Sequence, residues 1–137
     1  SDGLLAQCGI DLDTHRGEIA SGNLSSLRGC PFVLGSAEDI GGRIGRGLLR
    51  SSGVSPVSKA TSENVETLLA LCEQGVGACF CPENLLHTAL SPAQLAHLHI
   101  LPLCSEASYP ICFGYLSRSY PWSVLSEFIR IAREQTA

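Results

Sequence analysis

The residue order predicts an α/β fold, a largely parallel sheet with helices on both faces. Three observations carry that reading. Short apolar runs alternate four times with helix-length amphipathic segments. One run, Val76 to Cys81, is apolar at nearly every position, as a strand covered on both faces is. Helical segments stop at Gly53 and Gly75, where the chain can turn back toward the next strand.

Taken in order, Leu4-Leu5-Ala6 reads as the tail of a strand, and Asp11, Asp13, His15, Arg16 and Glu18 as an exposed connection. Leu24 to Leu27 reads as one helical turn. Pro31-Phe32-Val33-Leu34-Gly35 is a short apolar run bounded by breakers, the mark of a buried strand. Ser36 stands where it can cap the next helix, with Glu38 and Asp39 in the first turn against the helix dipole. Ile40, Ile44 and Leu48 recur every four residues, while Arg43, Arg46 and Arg50 fall on another face. Gly41, Gly42, Gly45 and Gly47 each cost this helix up to about 1 kcal/mol relative to Ala. Their presence points to close packing of the helix against a neighbour.

Pro56 to Ala60 is the second strand, and Thr61 or Ser62 caps a helix with the apolar stripe Val65, Leu68, Leu69 and Cys72. Gly75 ends it in the left-handed conformation, and Val76 to Cys81 is the third strand. Pro82 stops that strand, and a short helix runs from about Glu83 to Thr88. Ser91-Pro92 opens another helical turn. Leu98 to Leu103 alternates as a fourth strand, and Tyr109 to Leu116 reads as a fifth. Pro121 opens a terminal helix with Val124, Leu125, Phe128, Ile131 and Ala132 on one side.

The 137 residues suffice for one compact domain, or for two lobes sharing a crossover. A net charge of −4, with Lys59 the only lysine, argues against this chain gripping a phosphate backbone unaided. Every apolar stretch is interrupted before the ~20 residues that span a bilayer, and Ser1-Asp2-Gly3 opens no secretory signal. Seven cysteines without a secreted-framework spacing suit a reducing cytoplasm. Cys30, Cys72, Cys79, Cys81, Cys104 and Cys112 lie in or beside apolar segments and read as small buried hydrophobes. Cys79 and Cys81, followed by His87, His97 and His99, invite a zinc reading, but no second pair completes a tetrahedral set, so no metal is expected.

Catalytic motifs are equally scarce. There is no G-x-S-x-G elbow, no H-E-x-x-H and no S-x-x-K, so an enzyme is not expected and no cofactor is called for. The glycines from Gly41 to Gly47 lack a following G-K-[ST] and fall inside a helix, so close helix packing is the better account of them than a phosphate loop. What remains is the strand-end rule. Ligands of α/β sheets settle at the carboxyl ends of strands, beside helix N-termini with free N–H groups. Here those ends are Gly35-Ser36-Ala37 and Thr61-Ser62-Glu63, with Cys81-Pro82 beyond the third strand.

The ordered set Pro31-Phe32-Val33-Leu34, Gly53 to Pro56, Thr61-Ser62-Glu63-Asn64-Val65-Glu66-Thr67-Leu68 and Gly75-Val76-Gly77-Ala78-Cys79-Phe80-Cys81-Pro82 resembles the effector-binding domain of LysR-type transcriptional regulators. The spacing fits from about Leu24 to Gln135. The resemblance implies a fold like the type-II periplasmic binding proteins, two α/β lobes joined by crossing strands with a small-molecule effector in the cleft. It implies that residues 1–21 lead in from lobe one, that 22–108 form lobe two, and that 109–137 carry a crossing strand and a C-terminal helix back to lobe one. Effector contacts then fall on Gly35, Ser36, Ala37, Glu38, Thr61, Ser62 and Phe113. The implied partners are a small-molecule effector, further copies in a dimer or tetramer, and DNA only through an N-terminal winged helix-turn-helix, with no membrane. Peroxide-sensing members carry reactive cysteines after the first lobe-two strand, and residues 35–50 contain none, so redox sensing by that mechanism is not expected despite the cysteine count. The alternative on the same fold is the solute-binding protein of a transport system, which would need secretion.

Overall fold

A computed structural model describes residues 1–103, 107, 109–110, 112, 114 and 122–136. The chain opens with two short helices, α1 (Asp2–Cys8) and α2 (Leu12–Ala20). A 3-10 turn at Ser25–Leu27 leads into β1 (Pro31–Gly35), then α3 (Ile40–Ser51), β2 (Val57–Ser62) and α4 (Val65–Glu73). Two more short helices follow, α5 (Glu83–Ala89) and α6 (Pro92–Leu95). The long helix α7 (Ser123–Thr136) comes last.

The α/β character and the parallel pairing stand, and among the described residues the sheet has two strands, fewer than the residue pattern implies. β1 and β2 pair in parallel across α3, from Pro31 opposite Val57 to Gly35 opposite Ser62, and an irregularity after Phe32 leaves Lys59 unopposed. The segment 76–81 meets β1 at a single parallel bridge between Phe32 and Ala78 rather than as a full strand. Val33 N–H donates to Ala78 O at 2.8 Å, and Ala78 N–H donates to Pro31 O at 2.9 Å. A Cβ on Gly77 would lie 2.9 Å from Pro31 O, so the absence of a side chain lets this segment approach. Only Gly77 in it is buried, which overturns the two-face burial expected there.

Other expectations are corrected at the ends of elements and at the start of the chain. Leu4-Leu5-Ala6 is helical, not the end of a strand. Residues 12–20 are α2 rather than a connection, because Asp11 caps it, accepting from Asp13 N–H at 3.0 Å and Thr14 Oγ1 at 2.7 Å. Ser36 does not cap α3. That role falls to Asp39, whose Oδ2 accepts from Gly42 N–H at 3.2 Å, and Ser36 instead accepts from Glu38 N–H. Likewise Thr61 and Ser62 complete β2, and Asn64 caps α4 by accepting from Thr67 N–H at 3.1 Å. Residues 98–103 form no strand. Of the fifth strand expected over Tyr109 to Leu116, half the residues, Phe113 among them, lie outside the described residues, and Tyr109, Pro110, Cys112 and Gly114 are not in a strand. Cys112 is exposed rather than buried, and Cys104 lies outside the described residues.

The main core gathers Phe32 and Leu34 of β1 with Leu48 and Leu49 of α3, Ile19, Leu24, Cys30 and Val54. Val33, fully buried, is not in that cluster, as alternation along a strand requires. α4 packs against β1, and its Leu69 joins Leu86 and Leu90 in a second cluster with α5. Ser52 ties the end of α3 to the chain before β1, accepting from Leu24 N–H at 2.8 Å and donating to Gly22 O at 3.2 Å. The glycines of α3 do serve close packing. A Cβ on Gly42 would stand 2.0 Å from Ser36 O, and one on Gly45 would stand 2.4 Å from the Phe80 ring. Phe80 itself stacks on Phe32, centroids 6.1 Å apart and planes within 4°.

Candidate functional site

Parallel pairing puts the carboxyl ends of β1 and β2 on one edge, where Gly35 faces Ser62 and Leu34 faces Thr61. The four residues Gly35, Ser36, Thr61 and Ser62 are thereby brought together, with Ala37 and Glu38 in the exposed turn that follows β1. That turn is held locally: Asp39 N–H donates to Ser36 O, and Glu38 N–H donates to Ser36 Oγ at 3.2 Å. Across the edge, Ser62 Oγ accepts from Asn64 N–H at 3.1 Å. Both serine hydroxyls therefore organise the turn after a strand and keep a proton to donate to a ligand. The N–H groups of Ile40 and Gly41, in the first turn of α3, have no acceptor within their helix.

Arg46 buttresses this edge from below. Its Nη2 donates to Gly35 O at 2.9 Å, while its buried Nε has no partner among the described residues. Position 46 showed in the sequence only as part of an arginine face, since nothing in its spacing marks a return to the strand end eleven residues earlier.

A cavity of about 440 Å³ is present, and none of Gly35, Ser36, Ala37, Glu38, Thr61 or Ser62 lines it. The segment Cys79 to Asn84, which follows the parallel bridge between Phe32 and Ala78, forms one wall of the cavity. Gly41 and Ile44 of α3, Leu69 and Cys72 of α4, and residues 98–103 with Ala107 and Tyr109 complete it. The lining is mostly apolar, with His99, Glu83 and Asn84 as polar points. Sequence reasoning missed this wall because the alternation of Leu98 to Leu103 also fits a strand. The signal that could have found it is Gly41 and Gly45, which thin α3 on the side facing Phe80.

Three thiols line the cavity: Cys72, Cys79 and Cys81. Hydrogen bonding from Cys79 holds the Cys72 thiol down at about 7. The same contact, with burial, pushes the Cys79 thiol up. Burial also pushes Cys81 up to about 11. Among the described residues no set of three or more His, Cys, Asp or Glu side chains is placed to hold a metal ion.

The family model of the LysR substrate binding domain matches residues 16–137. No curated protein and no solved structure matches the chain.

Proposed function

The chain belongs to the LysR substrate binding domain family, and on that premise we propose that it is the effector-binding domain of a LysR-type transcriptional regulator, taking a small molecule at the carboxyl ends of its parallel strands. The observation that carries this reading is the register itself. Gly35 opposite Ser62 sets two hydroxyl-bearing turns side by side at the carboxyl ends of β1 and β2. Hydroxyls and first-turn N–H groups at that edge would grip the polar groups of an effector. Gly35, Ser36, Ala37, Glu38, Thr61 and Ser62 are the proposed contacts, together with Phe113, which the family resemblance implies and which lies outside the described residues.

In this reading residues 22–108 form one lobe, and 1–21 and 109–137 connect to the other. The effector shifts the balance between two lobe arrangements, and the oligomer passes that shift to a separate DNA-binding domain. The acidic chain itself has no part in holding DNA, and the regulator works in the cytoplasm. No step of this scheme needs catalysis.

The test is a thermal-shift screen of small metabolites on the chain, followed by Ser36→Ala and Thr61→Ala in the intact regulator. A ligand at one hundred times its Kd raises stability by about 2.7 kcal/mol, and each substitution should move the inducer dose–response while the protein stays folded. An unchanged dose–response in both variants removes the site assignment. Sequence-specific DNA binding by the chain alone removes the division of labour.

A further inference from the structure

We propose that Arg46 is a positioning residue of the strand-end edge: through the Gly35 carbonyl it sets the direction of the Ser36 hydroxyl, and it does so without touching a ligand itself. The proposal rests on the reading of that edge as the effector site. Arg46 lies one turn past Gly42 on α3. A helical Cα–Cβ bond tilts toward the helix N-terminus, so the side chain at 46 leans back over position 42. Gly42 has no side chain to obstruct it, and Arg46 Nη2 donates to Gly35 O at 2.9 Å. Arg43 and Arg50 on the same helix are exposed, whereas Arg46 is half-buried and its Nε is buried with no acceptor among the described residues. A buried donor left unpaired costs stability, so packing alone would favour an apolar residue here. What Arg46 supplies instead is the bond to Gly35.

That bond acts on one peptide plane. Gly35 O belongs to the same rigid unit as Ser36 N, so fixing the oxygen restrains ψ of Gly35 and φ of Ser36. Glycine has the widest backbone freedom, which makes this the place where the end of β1 most needs a restraint. Past it the turn is built on Ser36: its carbonyl accepts from Asp39 N–H, and its Oγ accepts from Glu38 N–H at 3.2 Å. An orientation set at Gly35 therefore passes to the hydroxyl. Gly35 is also the residue opposite Ser62, so the one bond from α3 fixes one hydroxyl-bearing turn relative to the other. A guanidinium stays protonated at every pH at which the chain would work, so the restraint does not titrate away.

The test is NMR on the full isotope-labelled chain with no effector present. Its outcome is therefore separate from whether the edge binds one, and a failed effector screen would remove the site reading while leaving these readouts as they are. In the unsubstituted chain the Ser36 Hα–Hβ couplings should report a single χ1 rotamer. Arg46 Nε–H should exchange with water at least about tenfold more slowly than the Nε–H groups of Arg43 and Arg50. Arg46→Met keeps the stem and removes the donors: the Ser36 couplings should average over rotamers, and backbone order parameters at residues 36–38 should fall from about 0.85 to below about 0.6, while those of Leu68 and Leu69 in α4 hold. Arg46→Lys returns a charged donor and should restore both. Averaged Ser36 couplings or a fast-exchanging Arg46 Nε–H in the unsubstituted chain overturn the proposal. So do single-rotamer couplings in Arg46→Met, loosening that reaches α4 equally, or a lysine that restores nothing. If Arg46→Met does not fold, Arg46→Gln, whose amide is too short to reach Gly35 O, takes its place with the same outcomes expected.

Discussion

Glycine to alanine at two positions of α3 should have opposite effects, although the helix gains the same propensity at both. That gain is up to about 1 kcal/mol per site. At Gly47 nothing lies within 4 Å of the added methyl, so Gly47→Ala should keep the gain. At Gly42 the methyl would stand 2.0 Å from Ser36 O and 3.0 Å from the Gly35 carbonyl carbon, both backbone atoms of the turn leaving β1. Neither can swing aside as a side-chain end can. Overpacking of this kind costs ~1–3 kcal/mol, and contact with fixed backbone belongs at the upper end. Gly42→Ala should then lose about 2 kcal/mol net, about 3 kcal/mol below Gly47→Ala. With a urea slope of roughly 1.5 kcal/mol per molar, the two midpoints should differ by roughly 2 M. The assay is a pair of equilibrium urea titrations followed by far-UV circular dichroism. Equal midpoints, or a Gly42→Ala midpoint above that of Gly47→Ala, would refute the close approach of α3 to the end of β1.

Three further outcomes are expected. Asp39→Ala removes the acceptor of Gly42 N–H and should cost about 1 kcal/mol, whereas Ser36→Ala should leave the helix end intact; equal losses in urea titrations would contradict the capping assignment. Leu49→Ala empties a side-chain site that is 0% exposed and should cost ~2–5 kcal/mol, a loss below 1 kcal/mol being incompatible with the core described. Cys30 has a folded-state thiol at about 12, above its ordinary 9.0, so the folded chain binds the extra proton at high pH. Its contribution is therefore complete below pH 9 and declines as pH rises from 9 toward 12, by about 1.4 kcal/mol per unit. Comparing the stability of the unsubstituted chain and Cys30→Ala at pH 8 and pH 10.5 isolates that slope.

Much of the central fold was legible in the sequence, because there the pattern and the breakers agree. Pro31 to Gly35 is both apolar and bounded, and Ile40, Ile44 and Leu48 hold a helical spacing that four glycines do not erase. Helix starts were less legible. Ser36, Ser62, Asp39 and Asn64 are all competent caps, and a polar residue preceding a helix does not say which of two neighbours turns inward. In both cases the serine took the inner turn and the Asp or Asn took the cap. The segments 76–81 and 98–103 were misread for a different reason. An apolar run satisfies a strand and a cavity wall alike, and only tertiary contacts such as the Phe80–Phe32 stack distinguish them. That Gly35 and Ser62 end their strands was readable, while the return of Arg46 to Gly35 O needed three dimensions.

The parallel register of β1 and β2 also sets the order in which this part of the chain can be built. A parallel pair cannot close through a tight turn, so residues 31 and 57 meet only across the whole of α3. The helix forms in about a microsecond, whereas the ladder waits for the ends of that long loop to find one another. The turn 36–39 lies inside the closing loop, so the edge bearing Ser36 and Ser62 comes into being in the same event that zips the sheet. Substitutions that loosen this turn should slow refolding more than they hasten unfolding.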